Sequence, residues 1–149
     1  MANARFLMAG AIVVALAVPV LAQNLGVIKQ RQTIMEGNGK AAKALVGYAK
    51  GETPYDAAAV AGIFAEMSAG AAKFGTLFPA DSKTGGKTEA SPAIWDKKGD
   101  WADAVAKFQA DTKAAAAAKP ATVEAFRAEF GKVMGNCRSC HESFRVKLQ

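Results

Sequence analysis

The chain is short of the residues that build most metal and redox sites. It has one histidine and two cysteines in 149 residues. A single histidine excludes any centre that needs two. Two cysteines exclude a disulfide framework, and three N/S ligands fall short of the four that a structural zinc site takes. Runs of β-branched residues are scarce, and no strand pattern lies near the cysteines. That argues against the βαβ setting of a redox-active C-x-x-C pair. No Lys/Arg cluster is dense enough for nucleic acid. The net charge of +6 reads as a solvated basic surface that favours acidic partners.

What is present is concentrated. Cys137-Arg138-Ser139-Cys140-His141 holds both cysteines and the histidine, close to the end of the chain. C-x-x-C-H is the attachment signature of a c-type haem. Two thiols add across the haem vinyl groups, and the adjoining imidazole reaches the iron. On a helix Cys137 and His141 are i and i+4 and share a face. A plain structural disulfide would leave the adjoining histidine unexplained.

The N-terminus agrees with that chemistry. Residues 1–22 read as a cleaved secretory signal: Arg5, an apolar run from Phe6 to Leu21, and a small-residue cleavage site before Gln23. The run is shorter than the roughly 20 residues a membrane span needs, and it contains Pro19. No span is expected after its removal. In a Gram-negative cell the mature chain, residues 23–149, is then expected in the periplasm, where haem is attached after export. Without Arg5 it carries 18 basic against 13 acidic residues, a net +5.

The mature chain reads as one all-α domain of four amphipathic segments. The first runs from about Asn24 to Lys50, with Ile28, Arg31, Met35, Asn38, Ala42, Leu45 and Ala49 on one seam. Thr53 is expected to cap the second, with Pro54 first in the helix and Asp56 completing a capping box. Its seam is Val60, Ile63, Met67, Gly70, Phe74 and Leu77. Pro79 to Pro92 reads as a surface loop, followed by a short turn whose Trp95 packs back on the helices. The third segment, about Gly99 to Ala118, presents Trp101, Val105, Phe108, Thr112 and Ala115. Thr122 caps the fourth, whose seam is Val123, Phe126, Phe130, Val133, Cys137, Cys140 and Phe144. Both cysteines thus sit at core positions. The expected fold is an antiparallel four-helix bundle with haem attached near the C-terminus of the fourth helix.

Arg31 stands on an apolar seam, where an unpaired cation is costly. Two readings stand: a charge-assisted bond to a haem propionate, or an arginine snorkelling to water.

On these marks the mature chain resembles the cytochrome c′ / cytochrome c-556 family. They are Arg31-Gln32-Thr33-Ile34-Met35, Phe78-Pro79, Pro92-Ala93-Ile94-Trp95, and Cys137-x-x-Cys140-His141-x-x-Phe144-Arg145. The resemblance implies one haem c held by Cys137 and Cys140, with His141 as proximal ligand. It implies the propionate role for Arg31 and a place beside the proximal pocket for Arg145, whose other reading is a helix-end cation. The family divides at the sixth iron position, where Met35 falls. As a ligand it makes an electron carrier, serving a redox partner protein. As an apolar filler it leaves a five-coordinate protein that binds nitric oxide or carbon monoxide. The first is the expected function. Met67 and Met134 are read as packing residues. An enzyme such as a peroxidase is not expected, since no second histidine moves protons. The resemblance also allows a homodimer.

Overall fold

The computed structural model describes residues 24–148. The secretory signal expected at residues 1–22 lies outside them. Four long helices, α1 (Leu25–Lys50), α2 (Ala57–Phe74), α4 (Lys98–Ala118) and α5 (Val123–Phe144), are joined by short turns and one long connection. That connection holds a 3-10 turn (Ala80–Ser82) and the one-turn α3 (Ala93–Asp96). Each long helix packs on two others: α2 on α1 and α4, α5 on α4 and α1. The result is the expected antiparallel four-helix bundle.

Local chemistry sets the helix ends. Asn24 Oδ1 accepts from Val27 N at 3.2 Å and starts α1. Gly51, at φ 74°, donates its N–H to the last carbonyls and stops it. Thr122 caps α5 as expected, accepting from Ala125 N. The start of α2 differs from expectation. Asp56, not Thr53, is the N-cap, accepting from Ala59 N at 3.0 Å. Residues 53–55 stay outside the helix because Tyr55 is used elsewhere. Its hydroxyl donates to Pro120 O at 2.6 Å, and its ring packs on Tyr48 and Phe126. That ties the α1–α2 turn to the α4–α5 turn.

The core forms two clusters. One is protein throughout: Leu45, Val60, Phe64, Met67, Ala115, Phe126 and Val133. The expected core role of Met67 holds. Phe64 and Ala71 are buried beside the expected α2 seam, while Ile63 and Gly70 are half-buried, so the seam is turned slightly. The second cluster, Phe74, Ile94, Trp101 and Phe144, lies at the end where α5 finishes. Among the described residues, α2 is the one helix long and apolar enough to cross a membrane. Its Val60, Phe64, Met67, Ala71 and Phe74 are instead buried in the bundle.

Residues 79–92 run over the surface as expected, most of them exposed or half-buried, but the longer stretch 75–92 is also pinned down. It forms a strap across the end of the bundle. Asn24 N donates to Asp81 O, and Ser82 is fully buried. Gly86, at φ 53°, lies so close to α1 that a Cβ there would sit 3.0 Å from Ile28 Cγ2. Trp95 Nε1 donates to Phe78 O at 2.9 Å, so the tryptophan does pack back as expected.

Candidate haem site

The last two turns of α5 carry Cys137, Cys140 and His141. Both thiols are free and half-buried. Burial pushes the Cys137 thiol up, and burial with the neighbouring Cys137 pushes Cys140 up. Cys137 Sγ donates to Val133 O at 3.7 Å. His141 is pulled below its usual range, first by partial burial and then by the Arg145 cation, with Glu89 opposing. The imidazole itself is exposed on α5, and its neutral form is the one that binds a metal.

These residues border two cavities. The larger, about 650 Å³, opens between α1, the strap and the end of α5. Phe74, Phe78, Trp101 and Phe144 line its apolar side, Met35 faces it from α1, and Cys140 and His141 border it from α5. The smaller, about 540 Å³, is lined by Met134, Cys137 and Arg138. His141 and Arg145 border both. The structure thus brings Met35, Arg31, Cys140, His141 and Arg145 around one space, with Cys137 on the adjoining one.

Arg31 is 4% exposed, which excludes the snorkelling reading. Its guanidinium donates to Leu77 O, to Ser82 Oγ and O, and to Thr88 Oγ1, at 2.6 to 3.1 Å. It lies 4.8 Å over the Phe78 ring. Burial pulls its pKa down, yet it keeps its charge. Arg31 therefore fastens the strap and borders the cavity. Arg145 follows the helix in extended backbone instead of occupying its last turn. Its Nε and Nη2 both lie 2.6 Å from Glu89 Oε2.

Sequence reasoning missed Ser82, Thr88, Glu89 and Asn136. The first three sit in the stretch read as surface loop. Asn136 is buried beside Cys137, and its Nδ2 donates to Asp111 Oδ2 at 2.7 Å, tying α5 to α4. No periodic signal marks any of the four.

The residues fit a haem. Two free thiols three residues apart and an adjoining imidazole form the donor set. The cavity is within the roughly 300–1,000 Å³ usual for cofactors and has aromatic walls. Two guanidinium groups border it, suited to carboxylates. They do not fit zinc: among the described residues, no three Cys, His, Asp or Glu side chains converge as a metal site.

Comparison with known proteins points the same way. The family model for cytochrome C' matches residues 26–145. Cytochrome c′ of Rhodopseudomonas palustris is 42% identical over 124 residues, covering 81% of this chain and 82% of that protein. A solved structure of cytochrome c′ from Rhodopseudomonas palustris, 41% identical, superposes with a TM-score of 0.77, covering 83% of this chain and 98% of that one. A cytochrome c-556 of Agrobacterium tumefaciens is 34% identical over 122 residues, covering 82% and 98%. A solved cytochrome c prime from Alcaligenes xylosoxidans, a ferrous variant with bound NO, is 25% identical. It superposes with a TM-score of 0.76 over 85% of this chain and 98% of that one. The family implies haem c, and the Cys137–His141 motif fits its attachment. By sequence, fold and site chemistry, the chain belongs to the cytochrome c′ family, which takes in cytochrome c-556.

Proposed function

We propose that this protein is an exported, periplasmic electron carrier with one haem c. Cys137 and Cys140 would hold the haem as thioethers, and His141 and Met35 would bind its iron. The observation that carries this reading is Met35 on α1, facing the cavity that Cys140 and His141 border from α5. Haem, when bound, supplies an iron that alternates between ferric and ferrous. The protein supplies the rest. The Met35 thioether is a neutral soft ligand that favours ferrous iron. His141 offers an imidazole lone pair to the iron. Phe74, Phe78, Trp101 and Phe144 keep water from the apolar side of the cavity. Arg31 borders the cavity as the cation to meet a propionate, and Arg145 borders it beside His141.

The second reading is a five-coordinate binder of nitric oxide or carbon monoxide, with Met35 only filling space. The relative solved with bound NO supports it. Proton-transfer catalysis is not part of either reading, because the chain has no second histidine.

The absorption spectrum separates the two. With Met35 ligated, the reduced protein is low-spin with a sharp α band, and carbon monoxide binds slowly and weakly. Met35→Ala then turns the iron high-spin and lowers the reduction potential. A wild type that is high-spin in both oxidation states overturns the carrier reading and puts gas binding first.

A further inference from the structure

Glu89 lies on the strap and has no part in the roles above. The strap is pinned on both sides of it. Thr88 Oγ1 accepts from Arg31 Nη2 at 2.6 Å. Val146 N donates to Glu89 O at 2.9 Å, and Ser91 N donates to Phe144 O at 3.0 Å. Ala90 and Arg145 pair in an isolated antiparallel bridge. This backbone brace sets the Glu89 carboxylate against the Arg145 guanidinium.

As a stabilising ion pair this would be worth little. Both side chains are more than a third exposed, and solvent screens such pairs. The bracing is more than a surface pair needs. What distinguishes the pair is its place. Glu89, Arg145 and His141 border the same cavity, and the paired opposite charges act in opposite directions on a cation held there.

We infer that Glu89 is a positioning residue for His141: from the braced strap it holds Arg145 beside the imidazole and fixes the charge balance at the iron ligand. The inference rests on the proposed ligand role of His141. Ferric iron carries one more positive charge than ferrous. Removing the carboxylate therefore favours the ferrous state, and removing the guanidinium favours the ferric. Removing both leaves the balance near its starting value.

The test is spectroelectrochemical titration of the haem-loaded protein and its Glu89→Gln, Glu89→Asp, Arg145→Gln and Glu89→Gln/Arg145→Gln variants. At a fixed applied potential, Glu89→Gln should shift the ferrous-to-ferric ratio several-fold upward, and Arg145→Gln several-fold downward. The double variant should return to within about twofold of wild type, and Glu89→Asp, which keeps the charge, should stay near it. A mere tether would move both single variants the same way or neither. Shifts of the same sign, or a silent Glu89→Gln, overturn the inference. If Arg145→Gln does not fold, the contrast between Glu89→Gln and Glu89→Asp decides alone. His141→Ala separates the two levels. If it keeps the wild-type spectrum, the ligand reading fails and the inference with it. If its spectrum changes while Glu89→Gln is silent, only the inference fails.

Discussion

Arg31 carries a positive charge in a place where water scarcely reaches it. Its seam position and family likeness suggested a propionate partner, and nothing in the sequence pointed to the partners it has among Leu77, Ser82 and Thr88. Those acceptors lie 46 to 57 residues away, beyond any local pattern. Four of the five guanidinium donors serve these acceptors, so a propionate bond would fall to Nε. Arg31→Leu strips the donor from several acceptors at once. Each buried group left unpaired costs about 1–3 kcal/mol, so the expected loss is about 2–5 kcal/mol in denaturant titration. The reduction potential should fall as well, because a propionate left unneutralised favours ferric iron. Arg31→Lys should recover only part of the stability, since an ammonium lacks the planar fork. A loss below about 0.5 kcal/mol, the level of an ordinary surface change, would remove the strap-fastening role.

At the scale of elements, the seams of α1 and α5 were legible and the start of α2 was not. Periodicity identifies a face well because burial enforces it along several turns. A helix start depends on one or two residues, and Thr53-Pro54 and Asp56 both carry start signals. The contact of Tyr55 with Pro120 O selects the later one. This choice is measurable. Asp56→Ala should cost about 1 kcal/mol, the usual value of an N-cap, and Thr53→Ala clearly less. The reverse order in urea unfolding would restore the capping box at Thr53. The long connection is at the surface as expected, but its anchoring was not legible, for a related reason. Its composition is that of a loop, but α1 and the exit of α5 provide partners that hold it in place.

Across the whole molecule, the two core clusters differ in kind. The cluster around Leu45, Phe64 and Phe126 closes on protein alone. The cluster around Phe74, Trp101 and Phe144 borders a cavity of about 650 Å³. Left as it stands, such a cavity forfeits packing contacts along its walls, and a haem face supplies them. The combined substitution Cys137→Ser with Cys140→Ser should give a chain without haem after acid–acetone extraction. Its near-ultraviolet dichroism from Trp95 and Trp101 should be lost, and most of the fold with it. Recovery of a folded apoprotein with native tryptophan signals would show that haem is not integral to this core.

The sequence by itself determined the class and the bundle and singled out the candidate donor set. Helical periodicity places Cys137, Cys140 and Phe144 on the inward seam of α5, and C-x-x-C-H is a local pattern whose chemistry needs no distant partner. The tertiary structure alone decided what surrounds those donors. It put Met35 across a shared cavity from His141, turned a polar loop into a strap over the bundle end, and brought Glu89 to Arg145 across 56 residues of chain. The physical reason is range. Periodicity and motif spacing report contacts within a few turns of one helix. The partners of Arg31, Glu89 and Asn136 are fixed only when separate elements pack and their buried or pinned polar groups must find one another.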